Sequence, residues 1–379
     1  MTTSTLPKVS DALTWMNCNG SFRAQQAFPG VSGEVSQSRL EGRACHETAQ
    51  NMFRRDADAP LFGEMVGSLS KDGVVVTQEL FDAAREYFNE VWGYCNANDL
   101  LQKVQIEEHI PVPGYDNWWC IPDAWTYNEQ VKTLKIWDGK FGHRIVDPFE
   151  HWPMLIYAFS IVERHHLEPD VIELIVVQPR AFAPGGTVRK WALTPDELVD
   201  YRRQVNDTML SVLDSAPFCT VGSWCKTCTA RAGCNTLQNV SYEGIDYAST
   251  MQTHELTGHS LGVELKLLRR AEEMIKARRS GLEEQATHEL RTGKPVTFFG
   301  VEWGKGRERW RKDVPTDQII MMSDLMGIDA RKPVELDTPA QLRKKGIDES
   351  VIAEYSETPS TGLKLVEVNE RSVKSVFEK

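Results

Sequence analysis

Residues 171–178, Val-Ile-Glu-Leu-Ile-Val-Val-Gln, form a near-continuous apolar run of strand length. A run of this kind reads as a strand buried on both faces, so it needs cover above and below. That requirement points to an α/β architecture. The chain has 379 residues, enough for one large or two ordinary domains with cores of their own. Its 41% hydrophobic and 26% charged content excludes a mainly disordered or collagenous protein. No apolar run approaches the roughly 18 residues of a membrane helix. The N-terminus lacks the charged-then-apolar layout of a signal peptide, and the expectation is a cytoplasmic protein with no membrane partner.

Around the buried strand the hydrophobic period alternates between helical and extended. Asp11 reads as the cap of a short helix carrying Leu13, Trp15 and Met16. A second helix is expected from Ser36 or Ser38 through Gly42 and His46, and a third over residues 77–92 with Leu80, Phe81, Ala84, Tyr87, Phe88 and Val91 on one face. Residues 104–107, 118–125 and 131–137 read as strands, with turn signals at residues 114–117 and 128–130; together they make an antiparallel meander. Residues 147–166 read as a helix, and Thr194-Pro195 opens another. Beyond residue 240 the character changes to a charged helix (262–279), a strand (296–303) and a basic stretch (305–312). The expected division is therefore residues 1–245 and an accessory α+β region, 246–379.

The net charge of −11 lies wholly in residues 1–250, because acidic and basic residues balance in the remainder. The protein as a whole will not condense on nucleic acid as a polycation would. Position matters more than the sum. Asp123 lies on one expected strand and Asp138 at the end of the next, so two adjacent strands joined by a turn can bring both carboxylates to one end of the sheet. Two such groups suit a hard divalent cation, Mg²⁺ or Mn²⁺. Period-2 alternation puts Lys140 on the face of Asp138, where an ammonium can position or activate a water for attack on a phosphodiester. The same Asp-Gly-Lys also reads as a plain turn with solvated charges. His46 adds an imidazole, although a lone helical histidine is commonly a surface or core residue. Gly42, one turn earlier, costs roughly 1 kcal/mol in a helix and suggests a close approach to that face.

The chain has eight cysteines. A reducing compartment argues against a disulfide framework. Cys225, Cys228 and Cys234 are closely spaced, which favours metal over free thiols. With remote Cys18 they suit an iron–sulphur cubane; with Cys219 instead they suit a local structural zinc site. Spacing leaves both open. Cys45, Cys95 and Cys120 read as buried apolar residues.

Taken in order, Cys18 with Gly20-Ser21, Gly42-x3-His46, Pro122-Asp123, Asp138-x-Lys140 and Cys225/Cys228/Cys234 resemble the PD-(D/E)XK nuclease superfamily. The similarity is to its RecB-like iron–sulphur exonuclease branch, related to the AddB nuclease domain and phage-encoded forms. It covers residues 10–240, and extends more weakly to residues 298–310. The resemblance implies a restriction-endonuclease-like core, a mixed central sheet flanked by helices. It implies a metal held by His46, Asp123, Asp138 and the Gly139 carbonyl, with Asp123, Asp138 and Lys140 catalytic. It further implies a [4Fe-4S] cluster on Cys18, Cys225, Cys228 and Cys234 that staples the N-terminal segment to the end of the nuclease domain. One departure stands out: the family's Gln-x3-Tyr motif is matched by Tyr157, but Pro153 replaces the glutamine.

Arg180, Arg189 and Lys190 follow the buried strand and could line a groove for a DNA backbone. Lys305, Arg307, Arg309 and Arg311, interleaved with Trp303 and Trp310, suit single strands, whose bases stack and phosphates pair; a solvated face with packed tryptophans is the plainer reading. The expectation is a metal-dependent DNA exonuclease of phage recombination, repair or DNA processing, acting in the cytoplasm of a bacterial host. Its partners would be DNA that is single-stranded or has free ends, and a recombinase or single-strand-binding protein. The alternative is a DNA-binding or scaffold protein that keeps the nuclease fold without the catalysis.

Overall fold

Backbone pairing along the expected strands builds the frame. In the computed structural model the described residues are 6–30, 37–54, 61–181, 186–249, 258–302, 315–325 and 355–356. The elements are α1 (Ala12–Asn17), α2 (Ser21–Ala27), α3 (Gln37–Phe53), α4 (Phe62–Met65), α5 (Gln78–Ala97), β1 (Gln105–Ile106), β2 (Ile110–Pro111), β3 (Trp119–Cys120), β4 (Ala124–Asn128) and β5 (Thr133–Gly139). They continue with α6 (Trp152–His165), β6 (Val171–Val177), β7 (Val188–Leu193), α7 (Pro195–Leu213), α8 (Asn235–Ser249), α9 (Gly258–Arg291) and α10 (Thr316–Leu325). Five strands form one mixed sheet in the order β1-β4-β5-β6-β7, and β2 pairs with β3 separately. Only β5 and β6 are parallel. A parallel pair needs a crossover, and α6 supplies it.

Alternation along β5 and β6 distributes the core. Leu134, Ile136, Ile172, Leu174 and Val176 pack with Trp15, Met154, Ile156 and Leu198 on the side of α1, α6 and α7. Trp137, Ile175 and Val177 leave the other face and meet Ala44, Phe81, Ala84 and Val91 of α3 and α5. Successive side chains of a strand point to opposite faces, so a two-sided core demands the unbroken apolar run of β6. The fold is α/β, a mixed sheet flanked by helices.

Several expected elements differ at their ends. The strand expected over residues 118–125 is two strands, β3 and β4, in different sheets. Pro122 lies between them and has no N–H to carry a ladder onward. Thr77 caps α5 by accepting the Leu80 N–H at 3.3 Å, but the helix runs to Ala97. The helix expected from residue 147 starts at Trp152, because Asp147 accepts the Phe149 N–H at 2.9 Å in a local turn instead. Gly42 is a correction: a Cβ there would meet nothing within 4 Å, so no strand presses on that position.

The C-terminal reading changes more. The charged helix is α9, longer at both ends than expected. The described residues 296–302 do not form the strand expected over 296–303; Val296 and Phe299 make an isolated bridge around Phe298, whose φ is +68°. A left-handed residue in mid-segment breaks the pleat that a strand needs. The chain divides into compact units Met1–Glu302 and Trp303–Lys379, whereas the 245/246 boundary falls within α8. In the first unit, Met274 and Ala277 of α9 pack with Val221, Cys225 and Leu237. Arg270 donates to the Val221 carbonyl at 2.9 Å and Arg278 to the Arg231 carbonyl at 3.1 Å. A composition dominated by charge hid this narrow packed stripe. Lys305, Arg307, Arg309 and Arg311, with Trp303 and Trp310, lie outside the described residues. Among the described residues no helix is long and apolar enough to cross a membrane.

Two glycines test this packing. A Cβ on Gly281 of α9 would lie 2.6 Å from Arg231 Cγ and 2.9 Å from the Ala232 nitrogen. Gly281→Ala should lower the melting temperature, by roughly 1–3 kcal/mol of overpacking. Gly42→Ala, in open space within α3, should stabilise by about 1 kcal/mol. Thermal denaturation followed by circular dichroism reads both signs.

Candidate metal centre

The register places the acidic groups. Ala124 of β4 pairs with Trp137 of β5, so Asp123 and Asp138 emerge at one end of the sheet. Asp123 Oδ2 accepts the Gly139 N–H at 2.7 Å, which ties the start of β4 to the end of β5. On the other side of β4, Ile106 of β1 pairs with Ala124. The next residue, Glu107, donates its N–H to the Asp123 carbonyl at 3.2 Å. It does so with φ at +50°, in the left-handed region uncommon for a residue with a side chain. His46 comes from α3, its Nδ1 3.8 Å from Asp123 Oδ2 and its ring edge-on to Phe141 with centroids 4.8 Å apart.

His46, Glu107 and Asp123 therefore each offer one ligand atom, and these atoms all lie within 4.8 Å of one another. One imidazole nitrogen and two carboxylate oxygens fit Mn²⁺ or Mg²⁺. The electrostatics agree with a site built for added positive charge. Burial pushes the Asp123 carboxyl up to about 6, against the opposing pull of His46 and with the repulsion of Asp138 adding to it. Glu107 is the site residue that the sequence reading passed over. Its signal was the alternation of residues 104–107, which ends on a carboxylate at the tip of an edge strand.

Asp138 has a different partner. Lys140 Nζ sits 2.5 Å from Asp138 Oδ2, and the Lys140 N–H extends the ladder to the Val177 carbonyl at 2.9 Å. Burial raises the Asp138 carboxyl, but the Lys140 ammonium and His151 outweigh it, and it lies below the usual carboxylate range. Burial likewise disfavours the Lys140 charge, yet Asp138 and Asp123 together raise its pKa. Burial pushes His151, just before α6, down against the opposing pull of Asp138.

A small cleft of about 10 Å³ opens beside this group, lined by His46, Gln50, Phe53, Tyr87, Glu107 and Asp123 among others. The Tyr87 ring is buried, and its hydroxyl has no hydrogen-bond partner among the described residues. Tyr157 is buried in α6, five residues after Trp152, and Pro153 occupies the first turn of the same helix. A proline suits that position and offers no amide group of the kind a glutamine would.

The three basic residues after β6 are engaged inside the fold. Arg180 is expected to face DNA; instead its guanidinium binds Glu41 at 2.8 Å and Glu79 at 3.0 Å, and its side chain is 7% exposed. Arg189 donates to the Val146 carbonyl at 2.8 Å and also to Gln178 and Gly186. Lys190 pairs with Glu90 at 3.2 Å but is half exposed. The helices carrying Glu41, Glu79 and Glu90 are far away in sequence, which is why the pairing was not legible there.

Elsewhere in the first unit, Cys18, Cys219, Cys225, Cys228 and Cys234 line a second small cavity, of about 20 Å³. All are free thiols. The N-terminal segment is held there by protein contacts as well. The Gly20 N–H donates to the Phe218 carbonyl at 2.8 Å, and the Thr220 N–H meets Cys18 Sγ at 3.4 Å. Burial pushes the Cys228 thiol up to about 11 and the Cys219 thiol, with its neighbour Cys18, up to about 12. Cys45, Cys95 and Cys120 are buried elsewhere, as expected.

Residues 6–368 match the family described as "Protein of unknown function (DUF2800)". No curated protein matches the chain. Among solved structures, the crystal structure of LHK-Exo in complex with dAMP aligns with a TM-score of 0.22 at 10% identity, covering 44% of this chain and 86% of that one.

The raised Asp123 pKa has a sign that can be checked in chelator. Its folded value lies above its unfolded one, so the proton stabilises the fold and stability is lost as pH rises from about 4 to about 6. Asp123→Asn should therefore melt higher than wild type above pH 6, with the gap closing below pH 4. A gap that is constant with pH would contradict the assignment.

Proposed function

Because the chain belongs to the DUF2800 family, whose description names no activity, the chemistry of the site is the guide, and we propose a metal-dependent DNA exonuclease. The observation that carries this reading is the convergence of His46, Glu107 and Asp123 beside the Asp138–Lys140 ion pair. His46, Glu107 and Asp123 would hold Mg²⁺ or Mn²⁺, with Asp138 and the Gly139 carbonyl as further oxygen donors. A divalent ion bound there supplies charge neutralisation at the phosphate and lowers the pKa of a water.

The chain's own groups do the rest. Lys140 is an ammonium under the field of Asp138 and Asp123, so it orients the attacking water by donating a hydrogen bond and offsets charge growing on the phosphate. Asp138 stays ionised and holds that ammonium in place. The water oxygen forms a new bond to phosphorus and gives up a proton to solvent, while the phosphorus–O3′ bond breaks in line and O3′ takes a proton from solvent, giving a 3′-hydroxyl and a 5′-phosphate. The half-exposed Lys190 and the basic–aromatic stretch around Lys305, Arg307, Arg309 and Arg311 would contact the strand. The roles in recombination, repair or DNA processing, and a recombinase or single-strand-binding partner, belong to the same proposal.

Cys18, Cys225, Cys228 and Cys234 would carry a [4Fe-4S] cluster as a structural staple; a zinc site with Cys219 is the competing occupant. What supports a bound group is the convergence of these thiols on one small cavity. An anaerobic preparation should be brown and lose its colour in Cys18→Ser, whereas a colourless protein with stoichiometric zinc would favour zinc. A non-catalytic DNA-binding protein is the second reading, favoured by Pro153 and by the internal pairing of Arg180.

End-labelled single- and double-stranded DNA with Mg²⁺ or Mn²⁺ separates the two. Wild type should degrade at least one substrate, and Asp123→Ala and Lys140→Ala should each lose about 100-fold or more in rate. DNA left intact with both metals would leave only the binding protein.

A further inference from the structure

Tyr87 lines the cleft and carries a buried donor that has no acceptor among the described residues. It is 3% exposed, and its hydroxyl makes no hydrogen bond among the described residues. Buried polar groups are nearly always paired, so an exception at a reactive site asks for an explanation. The ring is packed on several sides. A Cβ on Gly139 would lie 3.3 Å from the ring's Cδ2. Phe141 and Phe53 pack edge-on against the ring, at centroid distances of 6.2 and 6.3 Å.

The surroundings restrict what the missing acceptor can be. Asp123, Asp138 and Glu107 are the charges that act on the phenol. None of them accepts from it, although each carries lone pairs. The acceptor must enter the cleft from outside, and Asp123 and Glu107 beside it would admit an anion only together with a cation. A phosphate is such an anion, with oxygens that accept from a neutral donor. A phenol also suits the position because it adds no charge to compete with the cation at the carboxylates.

Resting on the nuclease reading above, we infer that Tyr87 is a catalytic residue whose hydroxyl donates to a non-bridging oxygen of the scissile phosphodiester. It carries no proton through the reaction. It is held before substrate arrives where charge grows in the transition state, which is the arrangement in which a donor contributes most.

Tyr87→Phe tests this, since only the hydroxyl is removed. Mn²⁺ affinity, titrated by electron paramagnetic resonance, should stay within about twofold of wild type because the metal ligands are untouched. The melting temperature in chelator should hold or rise, because an unpaired buried polar group is gone. Turnover of end-labelled DNA with Mg²⁺ should fall about 10- to 100-fold, in kcat rather than KM. Unchanged turnover in an active wild type would overturn the inference, as would a loss of turnover matched by a lower melting temperature or weaker Mn²⁺ binding. Wild-type protein that hydrolyses nothing with either metal would instead overturn the nuclease reading, and this assignment with it.

Discussion

The hydrogen bond from the Gly139 amide to Asp123 Oδ2, 2.7 Å long, fixes the geometry on which the rest of the site depends. It joins the residue that precedes β4 to the last residue of β5, beyond the final ladder pair. Without it the Pro122-Asp123 segment would be a loop leaving a sheet. With it, one carboxylate oxygen is held at the mouth of the cleft within reach of both α3 and β1. An amide donor also favours the ionised carboxylate, which moderates the cost of burying it.

Around this tie the charges separate into two groups. His46, Glu107 and Asp123 form a cation-seeking set, while Asp138 and Lys140 neutralise one another. Burial acts in opposite senses on the two carboxylates. Asp123 rises because its main compensation is a partly exposed imidazole; Asp138 falls because an ammonium touches it. Two neighbouring acids with divergent environments can thus take different tasks, one binding and one orienting. Arg180 plays a supporting part, bracing α3 and the start of α5 through Glu41 and Glu79 and so setting where His46 lies.

The cysteine cavity shows the same logic elsewhere in the unit. Thiols from residues distant in the chain meet only because α1 and the segment after α7 are drawn together by backbone hydrogen bonds, such as Gly20 to Phe218. Gly20 is required for that approach, since a Cβ there would come 2.4 Å from Cys219 Sγ. The long helix α9 then closes the loop from outside through Met274, Ala277 and Gly281. Its surface charge made it look like a separate region, whereas a stripe of small and apolar residues joins it to the first unit.

Period and local chemistry were enough to read the central strands β5 and β6, the two-sided cover that β6 demands, and the helix starts at Thr77 and Thr194, but not the edge strand β7. These follow from side-chain alternation and from hydrogen bonds spanning a few residues, and they need no knowledge of distant neighbours. Glu107 was not readable in this way. Its part comes from a left-handed backbone at the tip of an edge strand and from β1 pairing with β4 across an intervening hairpin. The pairing of Arg180 with Glu41 and Glu79, and the empty space beside Gly42, were decided the same way. Contacts between residues far apart along the chain depend on the relative placement of whole elements, and only the packed tertiary structure sets that.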